Sequence, residues 1–291
     1  MKVSPLKSII LLSLLTLFIN GPVQAENITL NVPHSNLKAD AEYVAGDADK
    51  SAVLILHGFL TTNRFHTVIS MARALQDEGY TTLAPTLTLN ISKRQKAIKC
   101  NAIHTHSLED DIIEIKAWIK WLHNKGYQKV TLLGHSSGSQ ELLATLLTDT
   151  EDLNINGAIF TSLFYLNGEE LGISKQDIES ATQAVSKGLT RPSKYSFLFC
   201  KNNYYSTPNS FLSYLKLDRQ YVTEALDKLT IPSYTIMGSA DQRYQSVGQN
   251  WLEVLEKSKT HLIMVEGANH FFSSEHEFDL QDHIIDIVNT L

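Results

Sequence analysis

Short, continuously apolar segments alternate with longer amphipathic segments along most of this chain. Residues 52–56 are apolar at every position, which is typical of a strand buried on both faces of a parallel sheet. In the next segment, apolar residues recur at helical spacing until Gly79, which predicts a helix. The same criteria predict strands at 28–32, 37–44, 52–56, 80–84, 129–133, 155–162, 233–237 and 261–265, the fourth of them ended by Pro85. The remaining helices are predicted from apolar positions within 108–122, 142–147, 247–255 and 279–288.

This repeated order of strands and helices predicts an α/β fold, with a mainly parallel sheet covered by helices on both faces. The order is lost at about residues 166–228, which we interpret as a cap insertion over the carboxyl edge of the sheet within one domain, 26–291. An aromatic set falls there, and it is consistent either with an apolar substrate wall or with a cap that packs onto the core. Its members are Tyr195, Phe197, Phe199, Tyr204, Tyr205, Phe211, Tyr214 and Tyr221.

The first 25 residues have the pattern of a signal peptide. Lys2 and Lys7 precede an apolar run at 9–19, and residues 23–25 form a small-x-small cleavage pattern. The apolar run is too short for a confident membrane span. We expect cleavage after Ala25, export across a bacterial inner membrane, and a periplasmic or secreted protein without stable membrane insertion. The alternative is an uncleaved N-terminal anchor.

Composition and charge exclude several classes of protein. With 43% hydrophobic and 19% charged residues, the chain has the composition of a folded protein. Its net charge of −6 argues against a nucleic-acid binder, which normally carries a basic surface. Cys100 and Cys200 are too few for a disulfide scaffold, but they could pair in an oxidising compartment. The alternative for the two cysteines is a pair of separate thiols.

One glycine-serine segment has the context of a catalytic turn. Residues 134–138 read G-x-S-x-G and lie between a predicted strand and a predicted helix. In such a sharp turn, the central serine is held in a strained conformation above the sheet edge, and the glycines avoid collisions with neighbouring backbone. Ser136 is therefore the candidate nucleophile, and the alternative is an ordinary glycine-serine turn.

A serine nucleophile needs a base and an orienting acid. Asp241 and His270 each follow a predicted strand, where ligand sites form in parallel sheets, and they occur in the order Ser, Asp, His. We expect His270 to be the general base and Asp241 its partner, with Glu266 and Glu169 as competitors for the acid.

The segment after the strand at 52–56 begins with His57 and Gly58. Acyl transfer develops an oxyanion that preplaced N–H groups must stabilise. We expect these donors to be the backbone N–H groups of Phe59 and Ser137. His57 itself is interpreted as a structural residue that packs under this loop.

Taken together, these features resemble the α/β-hydrolase superfamily. The resemblance extends over nearly all of residues 28–291 and rests on His57-Gly58, Gly134 to Gly138, Asp241 and His270. It implies a mostly parallel, eight-stranded sheet, a triad of Ser136, His270 and Asp241, and an oxyanion hole at Phe59 and Ser137. A shorter likeness, over residues 133–140, is to the fungal siderophore-esterase-like branch. The insertion matches no branch, so specificity stays open.

Other features point to no cofactor. His104 and His106, with Cys100 or His66, could be metal ligands, but a polar loop near the mouth of the site is the preferred interpretation. Asp110 and Asp111 begin a predicted helix, so capping explains both. No glycine-rich phosphate motif is present.

The function predicted from these residues is that of an exported serine hydrolase. It would cleave a carboxylic ester in a small-molecule ester or acyl substrate, through an acyl-enzyme and without metal or organic cofactor. The same triad could instead serve a thioesterase, an amidase or peptidase, or an acyltransferase. From another class, the chain could be a catalytically silent binding protein.

Overall fold

The computed structural model describes residues 24–248 and 250–291, and within them ten strands alternate with nine α-helices. The strands are β1 (Glu26–Asn31), β2 (Lys38–Val44), β3 (Ala52–Leu56), β4 (Thr81–Thr86), β5 (Val130–His135), β6 (Ile155–Thr161), β7 (Ser193–Phe197), β8 (Cys200–Ser206), β9 (Ser233–Gly238) and β10 (His261–Val265). The helices are α1 (His66–Asp77), α2 (Leu108–Asn124), α3 (Ser137–Leu146), α4 (Lys175–Ser186), α5 (Pro208–Leu215), α6 (Arg219–Lys228), α7 (Gln242–Val247), α8 (Asn250–Lys257) and α9 (His276–Thr290).

Eight of these strands form one sheet, in the order β1-β2-β4-β3-β5-β6-β9-β10. The β1–β2 and β2–β4 pairs are antiparallel, whereas every pair from β4 to β10 is parallel. Parallel neighbours require crossover connections, which the helices between them provide. The predicted α/β class, with a mainly parallel sheet of about eight strands, is confirmed.

Side chains of β3 alternate between two apolar cores, one on each face of the sheet. Ala52, Leu54 and Leu56 belong to one core, Val53 and Ile55 belong to the other, and all five are fully buried. Helices α2, α3 and α8 pack on the first core, and α1 and α9 pack on the second. The continuous apolar run of this strand is thus explained by burial on both of its faces.

Pro85 does not end its strand, contrary to the prediction. β4 continues to Thr86, and Pro85 lies opposite Ala41 of β2 in the antiparallel register. The pairing of β3 with β4 stops at Leu83. Pro85 therefore lies where β4 has lost its neighbour on one side, so the missing N–H removes no ladder hydrogen bond there.

The helix predicted at about 247–255 is present as α8, but it begins only at Asn250, and a separate short helix, α7, ends at Val247. The break comes at Gly248, whose φ is +82°. Glycine adopts this conformation readily, whereas a right-handed helix cannot contain it.

The segment predicted as an insertion, residues 166–228, contains α4, the β7–β8 hairpin, α5 and α6. The two strands of the hairpin form a separate antiparallel sheet. Tyr195, Phe197, Tyr204 and Phe211 are buried in the same apolar core as α2 and α3. These aromatic side chains therefore attach the segment to the main sheet.

Residues 1–23, which carry most of the predicted signal peptide, lie outside the described residues. No helix in residues 24–248 or 250–291 has both the length and the apolar character needed to cross a bilayer.

Candidate active site

Ser136 lies in the tight turn between β5 and α3 and has φ of 56° and ψ of −125°. A non-glycine residue rarely adopts such a conformation, so the surrounding structure must enforce it. A Cβ at Gly134 would lie 2.7 Å from the backbone N of Ser139, and a Cβ at Gly138 would lie 2.4 Å from the carbonyl O of His57. Both glycines are therefore required by close backbone approach, as the G-x-S-x-G pattern predicted.

The structure brings Ser136, His270 and Asp241 into one hydrogen-bonded chain. Ser136 Oγ lies 2.9 Å from His270 Nε2, and His270 Nδ1 lies 2.6 Å from Asp241 Oδ2. Since a carboxylate only accepts, Nδ1–H donates to Asp241, which leaves Nε2 free to accept the Ser136 hydroxyl proton. Asp241 is fully buried, and it is this residue, not Glu266 or Glu169, that contacts the imidazole.

Two loops hold Asp241 and His270 together at the carboxyl ends of β9 and β10. The Ala240 N–H donates to the Ala268 carbonyl at 3.0 Å, and a Cβ at Gly238 would lie 2.3 Å from that same oxygen. Ser162, after β6, donates its hydroxyl to the His270 carbonyl at 2.8 Å. The geometry of the triad therefore depends on three neighbouring strand ends.

Burial lowers the pKa of His270 below its ordinary value of 6.5. Asp241 opposes this shift through its hydrogen bond and charge, and the Arg243 guanidinium adds to it. The desolvation of a charged imidazolium is the largest of these effects. The ring is therefore biased toward its neutral form, in which Nε2 can accept a proton.

The two predicted oxyanion donors lie on either side of Ser136. Ser137 is the first residue of α3, where a backbone N–H has no intrahelical acceptor. On the other side, a Cβ at Gly58 would lie 3.1 Å from the Ser136 Cβ, so the Gly58–Phe59 peptide passes directly beside the nucleophile.

His57 sets the orientation of that peptide. Its Nδ1–H donates to the Gly58 carbonyl at 2.8 Å, and Thr61 donates to the same oxygen through its N–H and its hydroxyl. In a trans peptide the N–H points away from the C=O, so these bonds direct the Phe59 N–H to the opposite side. His57 is therefore a structural residue, as expected.

A buried arginine, which the sequence reading missed, holds His57 in turn. Arg94 donates to His57 Nε2 at 3.2 Å, to the Leu87 carbonyl at 2.7 Å and to the Thr61 carbonyl at 2.7 Å. Burial, with Arg94 as the second cause, lowers the pKa of His57 to about 3, so its ring is neutral. Arg94 lies in a polar loop, and no sequence pattern distinguishes it from an exposed arginine.

One of the polar predictions for residues 104–111 needs correction. His104 and His106 lie in the loop before α2, as expected, but both side chains are buried, with only 1% and 3% exposure. Asp110 completes the capping box with Ser107, but Asp111 is buried and accepts the Tyr214 hydroxyl. Asp111 faces inward because α2 packs against α5, so capping explains only Asp110.

The alternative of a metal site at His104 and His106 gains no support. His104 Nε2 bonds to the Cys100 carbonyl, and His106 Nδ1 bonds to the Tyr214 hydroxyl. Among residues 24–248 and 250–291, no group of three His, Cys, Asp or Glu side chains is arranged to hold a metal ion.

Cys100 and Cys200 form a disulfide, with their Cα atoms 5.5 Å apart. The bond joins the loop before α2 to the first residue of β8. Nearby, the Tyr205 N–H donates to the Cys100 carbonyl at 3.0 Å. The two cysteines thus connect the segment at 166–228 to the main domain, beside Phe59.

The aromatic set divides between the two interpretations. Phe59 makes edge contacts with Phe197 and Phe199 at ring-centroid distances of 5.3 Å. Tyr195 stacks on Phe211 at 4.2 Å and both are buried, whereas Phe199 is 62% exposed. Most of the set packs the core, and a few members border the loop of the predicted oxyanion donors.

Comparison with known families identifies the chain. A family model described as "Protein of unknown function (DUF1749)" matches residues 35–186, slightly more than half of the chain. The chain belongs to the DUF1749 family. In this DUF1749 protein, the matched region includes Phe59, Ser136 and Ser137, whereas Asp241 and His270 lie beyond it. No curated protein matches the chain significantly.

Solved structures similar to the DUF1749 chain share its fold. Est1E from Butyrivibrio proteoclasticus is 15% identical with a TM-score of 0.61, and the match covers 92% of this chain and 99% of that one. The α/β hydrolase GrgF from Penicillium sp. sh18 is 12% identical with a TM-score of 0.69, over 92% and 99% of the two chains. XC6422 from Xanthomonas campestris is 16% identical with a TM-score of 0.54, over 93% and 96%. The fold that the predicted resemblance implied, that of the α/β-hydrolases, is confirmed.

Proposed function

We propose that this chain is an exported serine hydrolase that cleaves a carboxylic ester through an acyl-enzyme on Ser136. The observation that supports this most directly is the chain of contacts from Ser136 through His270 to Asp241, at 2.9 and 2.6 Å. Both distances are within hydrogen-bond reach, which a nucleophile and its base require.

In the proposed reaction, Ser136 Oγ attacks the ester carbonyl while His270 Nε2 takes its proton. The backbone N–H groups of Phe59 and Ser137 stabilise the oxyanion, an effect of roughly 3 kcal/mol per donor. The imidazolium then gives its proton to the leaving alcohol, and the acyl-enzyme remains. His270 next removes a proton from water, which attacks the acyl carbon and releases the acid and Ser136.

Two similar structures support different parts of the proposal, one the small-molecule substrate and the other the serine hydrolase. A structure of Est1E from Butyrivibrio proteoclasticus contains bound ferulic acid; it is 16% identical with a TM-score of 0.64. XC6422 is described as a member of the α/β serine hydrolases without a lid. These descriptions apply to those two proteins. For this chain, we take them as support for the proposed ester or acyl substrate.

Export is supported by the leader-like pattern of residues 1–25 and fits a chain whose two cysteines are paired, since disulfides persist in oxidising compartments. We propose a periplasmic or secreted location. N-terminal sequencing of the exported protein should begin at Glu26, and an intact Met1 would contradict cleavage.

A fluorophosphonate probe tests the proposed nucleophile, because it phosphonylates an activated serine. We expect the wild type to be labelled and the Ser136→Ala variant to be unlabelled, with hydrolysis of p-nitrophenyl acetate reduced by about 10⁴-fold or more. Ser186→Ala, which removes an exposed hydroxyl on α4, is the matched control and should retain both signals.

Melting temperatures should show that both variants are folded. Equal labelling of the wild type and Ser136→Ala would overturn the proposal, and a folded wild type that is never labelled would favour a binding protein. Relative rates on matched esters, thioesters and amides then separate the remaining enzymatic alternatives.

A further inference from the structure

The guanidinium group of Arg94 bonds to uncharged acceptors in two loop segments. Its Nε donates to the Leu87 carbonyl, and one terminal nitrogen donates to the carbonyls of Thr61 and Lys96. The other terminal nitrogen donates to His57 Nε2. The side chain is only 3% exposed, so these acceptors replace the water that would otherwise solvate the group.

Arg94 keeps its positive charge in this buried position. Burial lowers its pKa to about 10, and the carboxyl groups of Glu114, Asp111 and Glu141 oppose that shift. The side chain is therefore charged at neutral pH. Hydrogen bonds from an ionised donor are stronger than those between neutral groups, so Arg94 polarises the acceptors that it contacts.

His57 connects this charge to the backbone. The Leu87 N–H and the Arg94 guanidinium can only donate, so His57 Nε2 accepts from both. The proton of the neutral ring is thereby fixed on Nδ1, which donates to the Gly58 carbonyl at 2.8 Å. The charged donor at Nε2 makes Nδ1–H a stronger donor, because hydrogen bonds in a chain polarise one another.

The Gly58 carbonyl receives further hydrogen bonds from Thr61. The Thr61 N–H donates to it at 3.2 Å and the Thr61 hydroxyl at 2.9 Å. Several donors on one carbonyl oxygen draw electron density from the Gly58–Phe59 peptide and increase the double-bond character of its C–N bond. The Phe59 N–H, on the other side of this peptide, is a stronger donor as a result. Arg94 also restrains its direction, since it holds the Thr61 carbonyl.

We propose that Arg94 is a positioning residue of the oxyanion hole, and that it orients and polarises the Phe59 N–H through His57 and the Gly58 carbonyl. We call this chain of bonds the Arg94 relay. The inference rests on the proposed function, in which the Phe59 N–H stabilises the oxyanion. Arg94 acts without contact to substrate, so it strengthens only states in which the carbonyl oxygen of the substrate carries negative charge.

Two variants separate the charge of Arg94 from its shape. Arg94→Gln removes the charge, whereas Arg94→Lys keeps the charge but lacks the planar fork that reaches several acceptors. Since removal of a whole oxyanion donor costs about 10²- to 10³-fold, we expect the weakened donor of Arg94→Gln to reduce kcat on p-nitrophenyl acetate by about 10- to 100-fold. Arg94→Lys should lose less. KM should stay within a few-fold, because acylation and deacylation both pass through an oxyanion.

Inhibition by 1,1,1-trifluoroacetone shows whether the loss concerns the oxyanion. This ketone adds to an activated serine and forms a tetrahedral adduct with a negatively charged oxygen. In each variant its Ki should rise by the same factor as kcat/KM falls. The acid limb of the pH profile should not move, because burial, Asp241 and Arg243 set the pKa of His270. A displaced acid limb would show damage to the triad and contradict the relay.

Arg73→Gln, an exposed change on α1, is the matched control and should leave kcat and Ki unchanged. Melting temperatures and titration of the reactive serine correct all rates for folded protein. If Arg94→Gln does not fold, Thr61→Val provides a second test, because it removes only the hydroxyl that donates to the Gly58 carbonyl. It should lower kcat several-fold. Rates that fall only in proportion to the folded fraction would overturn the proposal.

A spectroscopic measurement separates this inference from the proposed function. With nitrogen-15-labelled phenylalanine, the Phe59 amide proton should move upfield in Arg94→Gln, whether or not the chain hydrolyses esters. Phe59→Leu assigns the signal by its disappearance. An unmoved signal, or full activity of folded Arg94→Gln, would overturn the relay and leave the serine hydrolase intact. A moved signal in a chain without esterase activity would support the relay and overturn the proposed function.

Discussion

Two histidines of the candidate site have different tasks because their rings meet different partners. His57 accepts from the Leu87 N–H and from Arg94 at Nε2, and it donates through Nδ1 to the Gly58 carbonyl. Both nitrogens are occupied, so this ring can orient a peptide but cannot transfer a proton. His270 has only its Nδ1 held by a carboxylate, and its Nε2 faces Ser136.

The pH dependence of activity should reflect His270. Protonation of its ring abolishes the base, so kcat/KM falls as the pH decreases through the pKa of His270. Since burial lowers that pKa, the acid limb should have its midpoint below 6.5. Initial rates on p-nitrophenyl acetate across a pH series measure this midpoint.

The Asp241→Asn variant tests, by the same pH series, how the Asp241 carboxylate affects the pKa of His270. The Asp241 carboxylate raises the pKa of His270 relative to burial alone, so its removal should move the acid limb further down. The rate should also fall by about 10⁴-fold, as for a misoriented base in serine proteases. Asp282→Asn, an exposed change on α9, serves as the control. An acid limb with its midpoint above pH 6.5 in the wild type would contradict the assignment of His270 as the base.

Helix α2 shows how one element can serve both packing and the site. Its apolar face fills the first core, but Asp111 and Glu114 lie on the buried side as well, seven and four residues before the buried Trp118. Glu114 accepts from the Thr88 N–H at 3.0 Å and from the Thr88 hydroxyl at 2.7 Å. It thus connects α2 to the loop after β4 that Arg94 also holds.

Glu114 should make stability depend on pH. Burial raises its pKa to about 7 from 4.5, so in this interval the folded protein keeps a proton that the unfolded chain releases. The protonated Glu114 carboxyl therefore contributes its full stabilisation of the folded protein below about pH 4.5. This stabilisation is lost as the pH rises through 7. The loss is on the order of 3 kcal/mol, from 1.4 kcal/mol per pKa unit.

Glu114→Gln keeps an acceptor for Thr88 and removes the titration. Urea unfolding at pH 5 and pH 8 should therefore show a smaller loss of unfolding free energy in the variant than in the wild type. Glu253→Gln, on the exposed side of α8, should leave the wild-type difference unchanged. An identical pH difference in Glu114→Gln and the wild type would show that Glu114 is not the group responsible.

Across the domain, one covalent bond joins segments that are far apart in the chain. The Cys100–Cys200 disulfide closes a loop over a sequence separation of 100 and ties the β7–β8 hairpin to the loop before α2. Long closed loops restrict the unfolded chain most, and native disulfides of this kind typically contribute about 2–4 kcal/mol.

A Cys100→Ser/Cys200→Ser variant should accordingly lose about 2–4 kcal/mol of unfolding free energy in urea. Reduced wild type is the internal comparison, and it should unfold at nearly the same urea concentration as the variant. Labelling by the fluorophosphonate probe should persist below the transition, because the triad loops follow β5, β9 and β10. Equal stability of oxidised wild type and variant would contradict the contribution of the bond.

Local pattern was sufficient to predict the sheet, most helices and the three residues that meet at one edge of the sheet, Ser136, Asp241 and His270. A continuous apolar run, a helical repeat and a glycine-flanked turn each act within a few residues, so they can be recognised without knowledge of partners. Ser136, Asp241 and His270 were predictable because each follows a strand of a parallel sheet, whose carboxyl ends share one edge.

The rest depended on packing between distant segments. Nothing near Arg94 in sequence shows that it reaches His57, and nothing near His106 shows that its Nδ1 bonds the Tyr214 hydroxyl, more than 100 residues away. Likewise, the sequence predicts that Asp111 caps a helix, whereas in the folded chain α5 covers it. Burial decides whether a polar side chain is solvated or becomes a hydrogen-bonding part of a site, and burial is a property of the folded chain alone.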